Sequence, residues 1–158
     1  MGASGWDYIV PFTGNVEDSF RAARQHVLDS GQFIWNYGPD GFVDDESEAV
    51  RPATLQSLDE FKENEDFWDE GSHSILDTDR VVAADDTDQP GAIRPLSDDE
   101  LRRYFGTTTP SRNDFDRAYQ RGVGPLSESN QLRWSGRCAV LYDGGTPTQI
   151  AFWGFSGD

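Results

Sequence analysis

Gly71, Ser72, His73, Ser74, Ile75, Leu76, Asp77, Thr78 and Asp79 form the stretch of the chain richest in groups that can move protons or attack a carbonyl. Ser72 has the type of a nucleophile, His73 that of a base, and Asp77 that of the carboxylate that orients a base. Convergence is the difficulty, because side chains within one short segment need not meet. The alternative role is local, with Asp77 accepting hydrogen bonds from nearby backbone amides in the turn that follows a helix.

The loop Asp86, Thr87, Asp88, Gln89, Pro90, Gly91 has the first two acids and the glycine of a calcium loop. Pro90 then stands at the third ligand position and Ser97 where a bidentate Glu belongs, so no metal site is expected there. His26 reads as a surface or boundary residue of the first helix. Cys138, followed by Ala139, Val140 and Leu141, reads as a small buried hydrophobe. Two His and one Cys set far apart make no zinc pattern, and no phosphate-binding glycine loop or serine nucleophile elbow is present. Trp134, Trp153 and Phe155 could stack on a ligand, but aromatic residues in terminal strands read first as core. No cofactor is expected.

The elements that must position these groups follow from periodicity and punctuation. Trp6 to Pro11 reads as an opening strand. Asn15 can cap a helix whose apolar positions Val16, Phe20, Ala23 and Val27 recur at helical spacing, with Gly31 beyond its end. Gln32 to Tyr37 reads as a second strand stopped by Gly38 and Pro39, and Asp40 to Pro52 as an exposed acidic loop. Ser57 and Glu60 suggest a capping box for a helix running to about Glu70 and ended by Gly71. Ser74 to Leu76 and Arg80 to Ala84 are short strand candidates. Ser97 and Glu100 form a second capping box, with Leu101, Tyr104 and Phe105 as the apolar face and Gly106 as the stop. Ser111 to Arg121 reads as a further helix ended by Gly122. Arg137 to Tyr142 and Thr148 to Phe155, joined by Asp143, Gly144, Gly145, Thr146 and Pro147, form a hairpin with Cys138, Val140 and Tyr142 on one face and Ala139 and Leu141 on the other. Strands at both ends with about four helices between them predict one α+β domain with a largely antiparallel sheet.

Length and composition agree with that reading. A chain of 158 residues with ten Phe, five Trp and five Tyr can bury a sizeable core without disulfides. No apolar run approaches the roughly 20 residues that cross a bilayer. Met1 to Trp6 has neither a basic start nor an apolar stretch, so no secretory signal is read there and the cytoplasm is the expected compartment.

The charge is localised. Between Asp40 and Glu100 there are 20 acidic residues against four basic ones (Arg51, Lys62, Arg80, Arg94), an excess equal to the whole formal net charge of -16, while the rest of the chain carries nine of each sign. Such a field repels nucleic acid and anionic membranes and draws in cationic partners. The expected contact residues are Asp44, Asp45, Glu46 and Glu48 in one loop and Asp85, Asp86 and Asp88 in another, and the expected partner is a basic protein. Twelve Arg against one Lys with abundant Asp would also suit a salt-adapted cell, where the acids serve solvation.

Four stretches taken together, GWDYIVPF (5 to 12), GSHSILD (71 to 77), LSDDELRRYFGTTTPSR (96 to 112) and FWGFSGD (152 to 158), resemble a group of small bacterial proteins of similar length. The resemblance spans nearly the whole chain, implies one compact domain ending in a hairpin, and carries over no catalytic residue. The functional expectation therefore rests on charge: an acidic protein-binding domain, such as an immunity or inhibitor protein covering a basic partner. A small enzyme using Gly71 to Asp79 and a salt-adapted protein of other role are the alternatives.

Overall fold

A computed structural model describes residues 4–120 and 132–157. Strand β1 (Gly5–Pro11) is followed by helix α1 (Val16–Ser30), the two-residue strands β2 (Tyr37–Gly38) and β3 (Gly41–Phe42), helices α2 (Leu55–Phe61) and α3 (Phe67–Glu70), and strands β4 (Arg80–Val81) and β5 (Ala92–Pro95). Helices α4 (Asp98–Phe105) and α5 (Arg112–Gln120) and strands β6 (Ser135–Asp143) and β7 (Thr146–Phe155) complete the described order. Gly122, the expected stop of α5, lies outside the described residues.

The main sheet has the order β1-β7-β6-β5-β4. Its two long ladders, β1 with β7 and β7 with β6, are antiparallel, and the short ladders to β5 and β4 are parallel. The β6–β7 turn has Gly144 at φ 56° and Gly145 at φ 83°, the pair of positive φ values that a tight hairpin turn matching the twist of its strands requires. Along β6 and β7 successive side chains serve opposite layers. Cys138, Ile150 and Phe152 face α1 with Phe20, Ala23 and Val27. Ala139, Leu141, Ala151 and Trp153 face α4 and α5 with Leu96 and Phe115. Both layers share one sheet, which makes the chain a single α+β domain.

Helix α1 starts and stops where its caps dictate. The Asn15 side chain accepts from the Asp18 amide, and Gly31 adopts the left-handed conformation at φ 68°. The Ser97 and Glu100 capping box is present at α4. Cys138 is fully buried, and burial pushes its thiol well above the ordinary range.

Five local expectations change, two of them in extent: the strand expected over Arg80 to Ala84 forms only at Arg80–Val81, and the loop expected over Asp40 to Pro52 holds β3 and the 3-10 turn Glu46–Glu48. Gln32 to Tyr37 contributes only Tyr37 to a ladder, because the backbone before it bonds singly, as in Ile34 N–H to the Ser72 carbonyl. The helix expected from Ser57 to Glu70 is capped instead by the Thr54 and Ser57 pair and ends at Phe61. The Asn64 side chain accepts from the Asp66 amide in the gap, a local bond that competes with helical pairing. Ser74 to Leu76 is no strand: Ser74 caps a 3-10 turn, Ile75–Asp77, by accepting from the Leu76 amide.

Candidate functional site

The segment from Gly71 to Thr78 does bring polar chemistry together, as an inaccessible knot. Asp77 Oδ1 accepts from the Ser72 amide and from Ser72 Oγ, both at 2.7 Å, and Oδ2 accepts from Ser156 Oγ at 2.6 Å. Ser72, Ser74, Asp77 and Ser156 are all fully buried. Burial raises the Asp77 carboxyl above its ordinary value against the pull of those three donors. The direct bond from Ser72 to Asp77 occupies the place where a histidine stands in a nucleophile, base and carboxylate chain. His73, in the left-handed conformation at φ 53°, is the half-buried residue of this otherwise buried run. The knot fastens the 71 to 78 segment to the chain after β7.

Acids dominate the surface from 40 to 70. Twelve acidic residues fall between Asp40 and Glu70, and ten of them are exposed, including Asp44, Asp45, Glu46 and Glu48 around a 3-10 turn. Asp45 caps that turn by accepting from Ser47, which holds its carboxyl below the ordinary value. The β2–β3 hairpin, closed by Gly38, Pro39, Asp40 and Gly41, is tied to the α2–α3 linker where Asp66 Oδ2 accepts from the Phe42 amide at 3.3 Å. The approach is close enough that a Cβ on Gly41 would collide with Asp66 Oδ2. Through this tie Glu63, Glu65, Asp66 and Asp69 join the acids of the hairpin. Sequence reasoning counted these four acids but placed them on a continuous helix, and Asn64 was the signal that the helix breaks.

The two cations of this region are held differently: Arg51 stays exposed but tethered, and Lys62 is buried. Arg51 Nη1 donates to the Gly31 carbonyl at 2.6 Å, and its guanidinium lies 4.8 Å from the Phe33 ring centre. Lys62, the chain's one lysine, has a side chain only 4% exposed. Its Nζ has no hydrogen-bond partner, stands 3.8 Å from Asp59 Oδ1, and shares that carboxylate with the buried Arg24. Burial, followed by the neighbouring Arg24 guanidinium, lowers the Lys62 amine to about 8.

Asp85, Asp86 and Asp88 sit in the loop between β4 and β5. Asp85 and Asp86 are exposed, and Asp86 accepts from the Ala83 amide. Asp88 turns inward, where Arg94 Nε and Arg137 Nη2 each reach it at 2.7 Å. Arg94 also grips Glu100 through both terminal nitrogens at 2.8 Å. Hydrogen bonding from Arg94 holds Glu100 at about 2. Burial opposes the charge on Asp88, and the two guanidiniums outweigh it, leaving that carboxyl below its ordinary value.

Among the described residues no three His, Cys, Asp or Glu side chains are grouped to hold a metal, and no helix is long and apolar enough to cross a membrane. An open cleft of about 450 Å³ lies between the start of α5 and the β6–β7 turn, lined by Ser111, Arg112, Asn113, Tyr142 and Asp143 among others. Arg112 is paired there with Asp116. No family model, no curated protein and no solved structure matches the chain.

Proposed function

We propose that the protein binds a basic protein partner through the acidic surface of residues 40 to 70, in the manner of an immunity or inhibitor protein that covers a cationic site. The observation that carries this reading is the charge imbalance of the surface: ten of the region's twelve acids are exposed, Lys62 is buried, and Arg51 is the one exposed cation, held against Phe33 and the Gly31 carbonyl. Ten exposed carboxylates stand against that single exposed guanidinium, and such a surface raises the encounter rate with positive charge while repelling nucleic acid and anionic membranes. Asp85 and Asp86 add to the same field, whereas Asp88 is already neutralised by Arg94 and Arg137.

The test uses a defined cationic probe, a nine-residue arginine peptide, with its association rate measured at two ionic strengths. Reversing Asp44, Asp45, Glu46 and Glu48 to Lys should slow association and remove much of its salt dependence. A control that reverses Asp7, Glu17, Asp29 and Asp143, exposed acids elsewhere, should change the rate far less. Equal losses in the two variants would reduce the acidic surface to a solubility feature.

A further inference from the structure

Resting on that reading, we propose that Phe42 is the anchor of the interface, and that the partner offers it an apolar side chain or pocket bordered by arginine or lysine. Phe42 is 47% exposed, Val50 59% and Ile34 43%; these are three of the five large apolar side chains exposed among the described residues, the others being Tyr119 and Leu132. Phe42 and Val50 bracket the acids Asp44, Asp45, Glu46 and Glu48 along the chain. Tyr37 joins these two through its backbone, pairing with Phe42 across the β2–β3 ladder on one side and accepting from the Val50 amide on the other. Scattered exposed apolar residues mean little, but apolar groups gathered inside a charged rim have the anatomy of an interface centre.

Phe42 is also held in place before any partner arrives. Its amide is bound by Asp66, and its ring stands edge-on to Tyr37 with centroids 6.3 Å apart. Tyr37 is only 1% exposed, its hydroxyl lies within hydrogen-bond reach of the Phe67 and Gly71 carbonyls, and it accepts from the Gly71 amide. A half-exposed aromatic ring fixed from below loses little conformational freedom on binding, which is the property of a side chain that dominates binding energy. The neighbouring Asp40, Asp44 and Asp66 are all exposed, so positive groups around the partner's apolar contact match them in sign.

Two synthetic peptides test this, both arginine-rich and of equal charge, one with a central leucine pair and one with serines in its place. The wild-type protein should bind the leucine peptide about tenfold more tightly, the difference lying in slower dissociation and persisting at high salt. Phe42→Ala should erase the preference, and Phe42→Leu should keep part of it; both change an exposed side chain and should leave the fold intact. Equal affinity of the wild type for the two peptides overturns the anchor and leaves the electrostatic reading standing. Binding of neither peptide at low salt overturns the electrostatic reading and the anchor with it.

Discussion

Residues 40 to 70 and residues 85 to 117 are both rich in acid, yet they treat their charge in opposite ways. In the second region nearly every carboxylate with a structural role has an arginine: Asp88 with Arg94 and Arg137, Glu100 with Arg94, Asp114 with Arg117, Asp116 with Arg112. In the first, Asp59 is the acid that is ion-paired among the described residues, and its partners Arg24 and Lys62 are buried beneath it. Paired acids stabilise the fold and have little field left for a partner. Acids without an ion pair repel one another and keep their field, even where, like Asp45 and Asp66, they accept a local backbone bond. Local acid density in the sequence therefore marks two different things, and only the placement of arginine separates them.

The largest effect should come from breaking the paired region. Asp88→Ala leaves the side chains of Arg94 and Arg137, 7% and 9% exposed, facing each other without their shared carboxylate. Loss of one partner from such a buried group costs about 3 to 5 kcal/mol. Urea denaturation measures it, and a loss within the range of an ordinary surface substitution would show that the network is ornamental.

The unpaired region holds the opposite case in its interior. Lys62→Met removes a buried ammonium that has no hydrogen-bond partner and leaves Asp59 to Arg24, so the variant should be more stable at pH 7 by about 1 to 3 kcal/mol. The sign follows from linkage. The Lys62 amine sits at about 8 in the fold against 10.5 ordinarily, so the native state bears the full cost of the proton below about 8. That cost fades as pH rises towards 10.5. Thermal melts of both proteins should converge over that range, and a constant gap would place the effect in packing instead.

Acid should expose the paired region more gently. Glu100 is held at about 2 against an ordinary 4.5, so its contribution is present above pH 4.5 and is lost as pH falls through about 2. Allowing for its partial exposure, the loss is about 1 to 2 kcal/mol. Glu100→Gln should flatten that part of the stability profile, and an unchanged slope would assign the acid sensitivity to other groups. Asp77 works in the other direction. Its raised carboxyl contributes fully below the ordinary carboxylate range and loses its contribution as pH rises through the raised value.

The smallest effect on stability should come from the residues that matter most for binding. Reversing Asp44, Asp45, Glu46 and Glu48 to Lys touches no ion pair and breaks one local cap, at Asp45. Stability should move by no more than about 1 kcal/mol, as read from the urea midpoint. A collapse of the fold would mean that these acids are structural.

Much of the scaffold was legible because its signals are local. Asn15 and Gly31 bound α1, Ser97 and Glu100 open α4, and the paired glycines 144 and 145 turn the hairpin; each acts within a few residues of its own position. The concentration of charge between Asp40 and Glu100 was readable by counting. What escaped depends on contacts between distant segments. The Asp66 to Phe42 bond spans 24 residues and the Arg137 to Asp88 bond spans 49, and neither leaves a periodic trace. The inward turn of Asp88, the burial of Lys62, and the direct bond that makes Ser72 and Asp77 a knot were invisible for the same reason.

Backbone amide chemical shifts, followed while the arginine peptide is titrated at low salt, test the central claim most directly. The account predicts that shifts cluster at residues 38 to 50 and 62 to 70, with Phe42 among the most affected, while residues 94 to 117 stay where they are. Shifts spread evenly over the exposed acids, or centred on Asp98 and Asp99 at the start of α4, would contradict it.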